Sequence, residues 1–399
     1  MKTRAGLLTL AAVCLFSSCN KKVDEGKTPF KVFAGKDAVV IDLYATSALG
    51  SSGRLLLVSE QQQNGGGLRE LRILGPSLAV EAERGFAWQE EKHRISGGYA
   101  MPDGHIWLYE VLAGPGSQAL SARWIRLDES LQVKDTLPAV RDALEIIREP
   151  RLFMNADGSF YATGMGWNDN RLTLLRYGST GKAETTKKLP SGPVFDQFYR
   201  FNVNRFAFLN PLLQDVSMNS YDTALNLVWI KNFGGGGRDR MNYMENHFGA
   251  FQYGLAAKGD ASNTEADIWV MKFNMVCDTI RTTITGGPGK DIPGTILQTL
   301  DSGMVVTYFS ERGGPSLNQV VVTRYDKMLK LKWSRNFGGF GLGRQSKLIP
   351  ANANSYYLVY DDNSFAGGEG GSEMVVSLIG DDGAVLRKQL LRPEPVFHR

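Results

Sequence analysis

Asn232-Phe233-Gly234-Gly235, Ile284-Thr285-Gly286-Gly287 and Asn336-Phe337-Gly338-Gly339 recur at a fixed step, with Gly234, Gly286 and Gly338 each 52 residues apart. Other positions keep the same step. Asp239 goes with Asp291, Tyr221 with Phe273 and Tyr325, and Asp222 with Asn274 and Asp326. Trp229 and Trp333 lie two periods apart, each five residues before its glycine pair. Self-similarity at a period of roughly 20–50 residues marks a repeat architecture in which each unit is one supersecondary element.

Each unit reads as four strands. Met304 to Tyr308 is a second strand, Val320 to Tyr325 a third and Leu331 to Asn336 a fourth, with apolar residues recurring at period two in the third. Following the third-strand end along the chain gives Gly75, Asp128, Gly178, Asp222, Asn274, Asp326 and Asp381, which counts seven units. A lone four-stranded sheet cannot bury both faces, whereas sheets arrayed around an axis cover one another. The expected fold is therefore all-β, a seven-bladed β-propeller of four-stranded antiparallel blades. Closure has two candidate strands. Lys31 to Asp37 (KVFAGKD) matches Thr285 to Asp291 (TGGPGKD), so residues 29–34 read as a fourth strand without a blade, and Val385 to Leu391 fits the same role.

Glycine supplies 45 of the 399 residues, above the ~7% of an average chain, as many tight turns require. With 45 basic and 41 acidic residues the formal charge is +4, too small a field to imply nucleic acid as a partner. The N-terminus carries an address. Lys2 and Arg4 precede the uncharged run Gly6 to Phe16, which suits a signal peptide and is too short to span a bilayer. Leu15-Phe16-Ser17-Ser18-Cys19 then resembles the lipobox of bacterial lipoproteins, with Phe16 where leucine is usual. That resemblance implies cleavage before Cys19 and acylation of Cys19, and two or more acyl chains anchor stably. The expected organisation is a signal peptide over 1–18, a flexible tether over 19–28 with lipidated Cys19, and the propeller over 29–399. Cys14 leaves with the signal, so Cys277 is left alone and reads as a small buried residue.

In a propeller the second-to-third-strand loops and the inter-blade links open on one face, and the other turns on the opposite face. The second set is tight, with Asp103-Gly104, Asp157-Gly158, Asp301-Ser302-Gly303 and Asp382-Gly383 as hairpin signals. The first set is longer and polar, and long loops on a rigid scaffold are where binding sits. Three groups on that face are candidates. Trp167, Asn168 and Asp169 could stack on and hydrogen-bond a sugar. Arg238, Arg240 and Arg344 in inter-blade loops could ring the axis and attract an anion. Asp361, Asp362, Asn363, Glu369 and Glu373, in one glycine-rich loop, could give oxygen ligands to a structural Ca²⁺. The plainer alternative for each group, an ordinary turn or solvated surface charge, is preferred over the functional one.

Catalytic signatures are sparse. The four histidines include no i, i+4 pair, and no Gly-x-Ser-x-Gly or Cys-x-x-Cys occurs. The glycine runs lack the Gly-Lys-Ser/Thr ending of a phosphate loop and follow the repeat register. No catalytic residue and no cofactor is assigned. Trp229 to Asp239 and Trp333 to Gly343 carry a Trp-x-Lys/Arg-x-Phe-Gly-Gly pattern that resembles repeat-bearing envelope lipoproteins of the Bacteroidota. The resemblance implies an outer-membrane, lipid-anchored protein on the periplasmic or cell-surface side, acting as a non-catalytic binding or scaffolding module. Its partners would be the membrane and an envelope protein or glycan. The alternative is a polysaccharide-degrading enzyme, a glycoside hydrolase or lyase, with carboxylates near the axis.

Overall fold

The computed structural model describes residues 41–391 apart from 50–52, 64–65, 90–92, 102–103, 115–117, 149, 190–196, 203, 211–214, 235–239, 246–250, 260–265, 275, 288, 312–317, 342–345, 353 and 363–372. The signal, the tether, Cys19 and residues 29–34 lie outside the described residues.

The chain forms a seven-bladed β-propeller, each blade a four-stranded antiparallel meander. Blade 1 holds β1 (Ile41–Leu49), β2 (Arg54–Gln63), β3 (Gly66–Leu74) and β4 (Val80–Gln89). Blade 2 holds β5 (His93–Ala100), β6 (Ile106–Ala113), β7 (Ala119–Leu127) and β8 (Val133–Pro138). Blade 3 holds β9 (Arg151–Met154), β10 (Phe160–Met165), β11 (Leu172–Tyr177) and β12 (Ala183–Lys188). Blade 4 holds β13 (Gln197–Asn202), β14 (Arg205–Asn210), β15 (Val216–Asp222) and β16 (Leu227–Phe233). Blade 5 holds β17 (Arg240–Glu245), β18 (Phe251–Gly259), β19 (Ala266–Asn274) and β20 (Thr279–Thr285). Blade 6 holds β21 (Asp291–Gln298), β22 (Met304–Ser310), β23 (Asn318–Tyr325) and β24 (Leu331–Gly341). Blade 7 holds β25 (Ser346–Asn352), β26 (Ser355–Asp362), β27 (Glu373–Gly380) and β28 (Val385–Leu391). Blades 1 and 2 share a ladder through the single pair Gln89 and His93. The only helical turn among the described residues is a 3-10 turn, Ala143–Glu145.

The core is divided by the ring into seven clusters, one at each blade junction. Strand parity decides which junction a side chain joins, because alternate residues leave opposite faces of a strand. Leu56 and Val58 of β2 pack against Ile106 and Leu108 of blade 2, while Leu55 and Leu57 pack against Tyr357 and Val359 of blade 7. Second and third strands are thus covered on both faces and read as unbroken apolar runs, as in β22, which is buried along its whole length. The same double burial reaches Lys272 of β19, whose Nζ donates to the Lys327 carbonyl at 2.9 Å and lies 5.6 Å from the centre of the Tyr253 ring.

The blade 7 to blade 1 junction has a core of the same kind, with Ile349, Tyr357, Val359, Met374, Val376 and Leu391 against Leu55, Leu57, Leu74 and Leu78. The Tyr357 hydroxyl donates to the Gly53 carbonyl and Arg387 donates to the Pro76 carbonyl at 2.5 Å. Val385–Leu391 is the fourth strand of blade 7, so of the two closing candidates it takes that place.

The third-to-fourth-strand turns are one motif repeated seven times. The turn's first residue (Gly75, Asp128, Gly178, Asp222, Asn274, Asp326, Gly380) accepts from the N–H three residues on, and its own N–H donates four residues on. Gly380 holds this place in blade 7, one residue before the expected Asp381, because its N–H and carbonyl make those two bonds. The fourth residue of each turn has positive φ: Leu78 (67°), Leu131 (60°), Gly181 (80°), Leu225 (62°), Cys277 (64°), Leu329 (58°) and Gly383 (79°). Non-glycine residues there bear roughly 1–2 kcal/mol of backbone strain. Their burial offsets it, since Leu78, Leu131, Leu225, Cys277 and Leu329 all join a junction core. In four blades an Asx side chain fixes the turn, as where Asp326 Oδ1 accepts from Met328 N at 2.8 Å and Lys330 N at 2.9 Å.

Two further expectations are corrected. The fourth strand of blade 6 was expected to end at Asn336, before Gly338-Gly339, but β24 runs through both to Gly341, which pairs with Asn318 across a bulge. Asp361, Asp362 and Glu373 belong to the ladder of β26 and β27, with Asp361 opposite Met374 and Asp362 opposite Glu373, because that hairpin extends beyond its apolar part.

Candidate functional site

On the loop-rich face the best-defined surface is the β10–β11 loop of blade 3, where the sequence placed Trp167, Asn168 and Asp169. Its backbone is tied down at Gly166 N to Arg171 O (2.7 Å) and Trp167 N to Ile146 O (2.7 Å). The Asn168 amide reaches across the junction. Its Oδ1 accepts from Ala119 N at 3.1 Å, and its Nδ2 donates to Ala119 O at 2.9 Å and Ala143 O at 3.0 Å. One side chain therefore joins this loop to β7 of blade 2 and to the 3-10 turn.

Neighbours of those anchor points are presented to solvent. Leu120 and Leu144 are 55% and 56% exposed and flank the same anchored backbone. Trp167 is half-buried against the blade 2–3 core, with the Arg148 guanidinium 5.9 Å from the centre of its ring and Arg148 Nη2 donating to its carbonyl at 3.0 Å. Asp169 accepts from Lys188 Nζ at 2.8 Å and from Arg171 N at 3.1 Å. Burial opposes the Asp169 charge, yet the Lys188 ammonium and the Arg171 N–H outweigh it and hold this carboxyl below its usual range. The result is a fixed surface with two exposed leucines, one aromatic edge and charges of both signs.

The other sequence candidates are dispersed. Arg240 opens β17, its backbone opposite Ala257. Arg238, Arg344, Asn363 and Glu369 lie outside the described residues. Among the described residues no group of three His, Cys, Asp or Glu is placed to hold a metal ion. A carboxylate pair does meet at the blade 5–6 link. A methyl on Gly286 would lie 2.1 Å from Asp267 Oδ1 and 2.4 Å from Asp291 Oδ2. Asp291 is 1% exposed, and its Oδ2 accepts from Gly287 N at 3.1 Å.

The opposite face carries a polar cluster that sequence spacing did not reveal. Arg324, 1% exposed, donates through Nη2 to Asp301 Oδ1 at 2.7 Å and through Nε to Asp381 Oδ1 at 3.0 Å. The Tyr356 hydroxyl donates to the same Asp381 oxygen at 2.7 Å, and Trp333 Nε1 to the Asp381 carbonyl at 2.8 Å. Burial raises the Tyr356 phenol well above its usual range, and its bond to Asp381 adds to the rise. Asp301 and Arg324 come from blade 6, Asp381 and Tyr356 from blade 7, so the cluster fastens one junction.

No protein-family model and no curated protein matches the chain. The similarities are to solved structures. Oligopeptidase B from Leishmania major is 10% identical over 90% of this chain and 49% of its own, at TM-score 0.51. Oligopeptidase B from Trypanosoma brucei, solved with covalently bound antipain, is 9% identical over 89% and 48%, also at TM-score 0.51. The WD40 domain of Toxoplasma gondii coronin is 11% identical over 88% and 87%, at TM-score 0.46. The chain spans about half the length of the two oligopeptidases. At these identities the likeness concerns the fold, and the protein belongs by its architecture to the β-propeller class.

Proposed function

We propose that this protein is a lipid-anchored envelope module that holds a protein or glycan partner on the loop-rich face and carries out no chemistry on it. The observation that carries this reading is the surface fixed by Asn168. A binding site benefits when its contact groups are held before the partner arrives, because less ordering entropy is lost on association. Leu120, Leu144 and Trp167 supply apolar and aromatic contact, and Arg148, Asp169 and Lys188 a polar rim, the make-up of a recognition surface. Acylation at Cys19 would hold the disc at the outer membrane, on the periplasmic or cell-surface side, with residues 19–28 as the tether.

Photo-crosslinking separates this reading from its alternatives. A photoreactive residue at position 144 should capture one discrete envelope component, while the same group at position 300, a 67% exposed leucine on the opposite face, should capture none. The anchor is tested by Cys19→Ser, which should move the chain from the membrane to the soluble fraction. The polysaccharide-degrading reading would rest on Asp267 and Asp291. It requires that purified protein cleave a polysaccharide and that Asp267→Asn abolish the cleavage.

A further inference from the structure

The outermost strand of a blade exposes a row of unpaired backbone groups, and proteins guard such edges with charge or proline. The seven outer strands differ in this respect. β4 carries Glu81, Glu83 and Arg84; β8 carries Lys134, Asp135 and Pro138; β12 carries Glu184, Lys187 and Lys188. β24 carries Lys332 and Arg335, and β28 Arg387 and Lys388. β16 and β20 each carry one charge, and it is turned to the next blade: Lys231 binds Asp278, and Arg281 Nη1 donates to Met328 O at 3.1 Å. Among the described residues β20 pairs only with β19, and its sequence TIRTTIT is β-branched at every position but Arg281. Ile280 and Ile284 are each 49% exposed on the same strand face.

β20 also complements itself. Turned antiparallel about Thr282, it sets Thr279 opposite Thr285, Ile280 opposite Ile284, Arg281 opposite Thr283 and Thr282 opposite its own copy. No like charges stand directly opposite, each Arg281 being turned to the next blade of its own chain, and two isoleucine pairs cover each other on one face. The same operation on β16 would set Val228 against Asn232 and Trp229 against Lys231. A two-fold contact requires such self-complementarity of one patch. We propose that β20 is a homodimerisation edge, on which a second copy of this chain adds its own β20 antiparallel about Thr282. One strand pair buries less than the ~1,200 Å² of a standard interface, so the dimer is weak and reversible. The proposal does not depend on what the loop-rich face binds.

Cysteine placement tests the register. Directly opposed antiparallel residues have Cα atoms ~4.5–5.5 Å apart, within disulfide range. Full-length Thr282→Cys should therefore form a disulfide-linked dimer under mild oxidation, above the wild-type background. Thr285→Cys alone should not, because its two copies would stand six residues apart along the ladder, roughly 20 Å. A mixture of Thr279→Cys and Thr285→Cys chains should cross-link to each other. Ile280→Lys, an edge charge of the kind the other blades carry, should lower self-association in sedimentation equilibrium by about tenfold or more without changing the unfolding midpoint. Equal cross-linking at 282 and 285, none at 282, or self-association that survives Ile280→Lys overturns the proposal.

Discussion

Gly181 of the blade 3 turn lies against Trp107 of blade 2 so closely that a methyl on its Cα would sit 2.0 Å from the ring's Cη2. The relation recurs at two other junctions. Gly383 faces Trp333, with a hypothetical Cβ 3.1 Å from Cε3, and Cys277 shares a junction core with Trp229. Where no tryptophan intrudes, the same turn position holds leucine. The seven junctions thus conserve volume by trading a large ring on one blade for a small residue on the next, as close packing demands.

Gly181→Ala should therefore destabilise the fold by about 2–4 kcal/mol, combining the overpacking penalty with the left-handed strain of a side chain at φ 80°. Chemical denaturation of the variant and of Gly181→Ala in a Trp107→Leu background separates the two terms. With the indole gone, the loss should shrink to the backbone part, about 1 kcal/mol. An unchanged loss would mean that the ring is not the obstacle.

The sign of a glycine substitution should differ between two left-handed positions. Leu131→Gly relieves strain but removes a fully buried side chain, so the net effect should be a loss of about 2 kcal/mol or more. Ser302, with φ 61° in the β21–β22 turn and outside any junction core, has little to lose. Ser302→Gly should be neutral or stabilise by up to about 0.5 kcal/mol. Paired unfolding curves decide it, and losses at both positions would refute the packing account.

Much of this was legible in the chain and some of it was not, for identifiable reasons. The step of 52 residues stands out because three successive units keep a glycine pair at the same register, and it carried the blade count. The leucine turn stayed hidden because leucine at positive φ contradicts its local preference and reads as strand. Asp381 was placed one position late because Asp or Asn starts four of the seven turns, while blade 7 uses Gly380 and frees Asp381 to meet Arg324. Asn168 was legible as a polar turn residue, but its bond to Ala119 spans 49 residues and exists only because blades 2 and 3 are neighbours. The Arg324 cluster, spread over separations of 23 and 57 residues, has the same origin.

That cluster should shape the response to acid. Burial opposes ionisation of Asp301, but the Thr299 hydroxyl, the Arg324 guanidinium and the Gly303 N–H outweigh it, so its carboxyl is held well below the usual carboxylate range. A carboxyl depressed in the folded state contributes stability that is present above its unfolded value, near pH 4, and lost as pH falls through the folded one. Stability should fall on acidification below about pH 4, and Asp301→Asn should flatten that decline. Arg324→Met should cost about 3 kcal/mol at neutral pH, the low end for a broken buried pair because Asp301 and Asp381 keep 48% and 41% exposure.

Cys277 should behave as packing, not as a reagent. Burial raises its thiol to about 12, and its Sγ lies 3.5 Å from Met218 Sδ. An acid whose folded value is raised stays protonated after the unfolded chain has ionised, so its contribution is intact below about pH 9 and falls as pH rises toward 12. Native protein should resist thiol reagents at pH 8 at this position and react once unfolded, read by mass spectrometry of the peptide that contains it. Cys277→Leu restores the residue used by four other blades, but opposite Trp229 it should overpack and lose about 1–3 kcal/mol. A gain in stability would show the tryptophan rule to be wrong.

Ring closure gives the last test. Apart from the Gln89–His93 pair, the described strands pair only within their own blades, so the blade 7 to blade 1 junction is held chiefly by side chains. Val359 of β26 and Val58 of β2 are both fully buried, the first at the closing junction and the second between blades 1 and 2. If closure is an ordinary junction, Val359→Ala and Val58→Ala should each cost about 2 kcal/mol and shift one cooperative transition by similar amounts. A weak closing junction would instead open first. Amides of β26 and β28 would then exchange hydrogen well before those of β14 and β15, and Val359→Ala would add an early unfolding phase while Val58→Ala would not. The matched cores on the two sides of the ring argue for equal losses and a single transition.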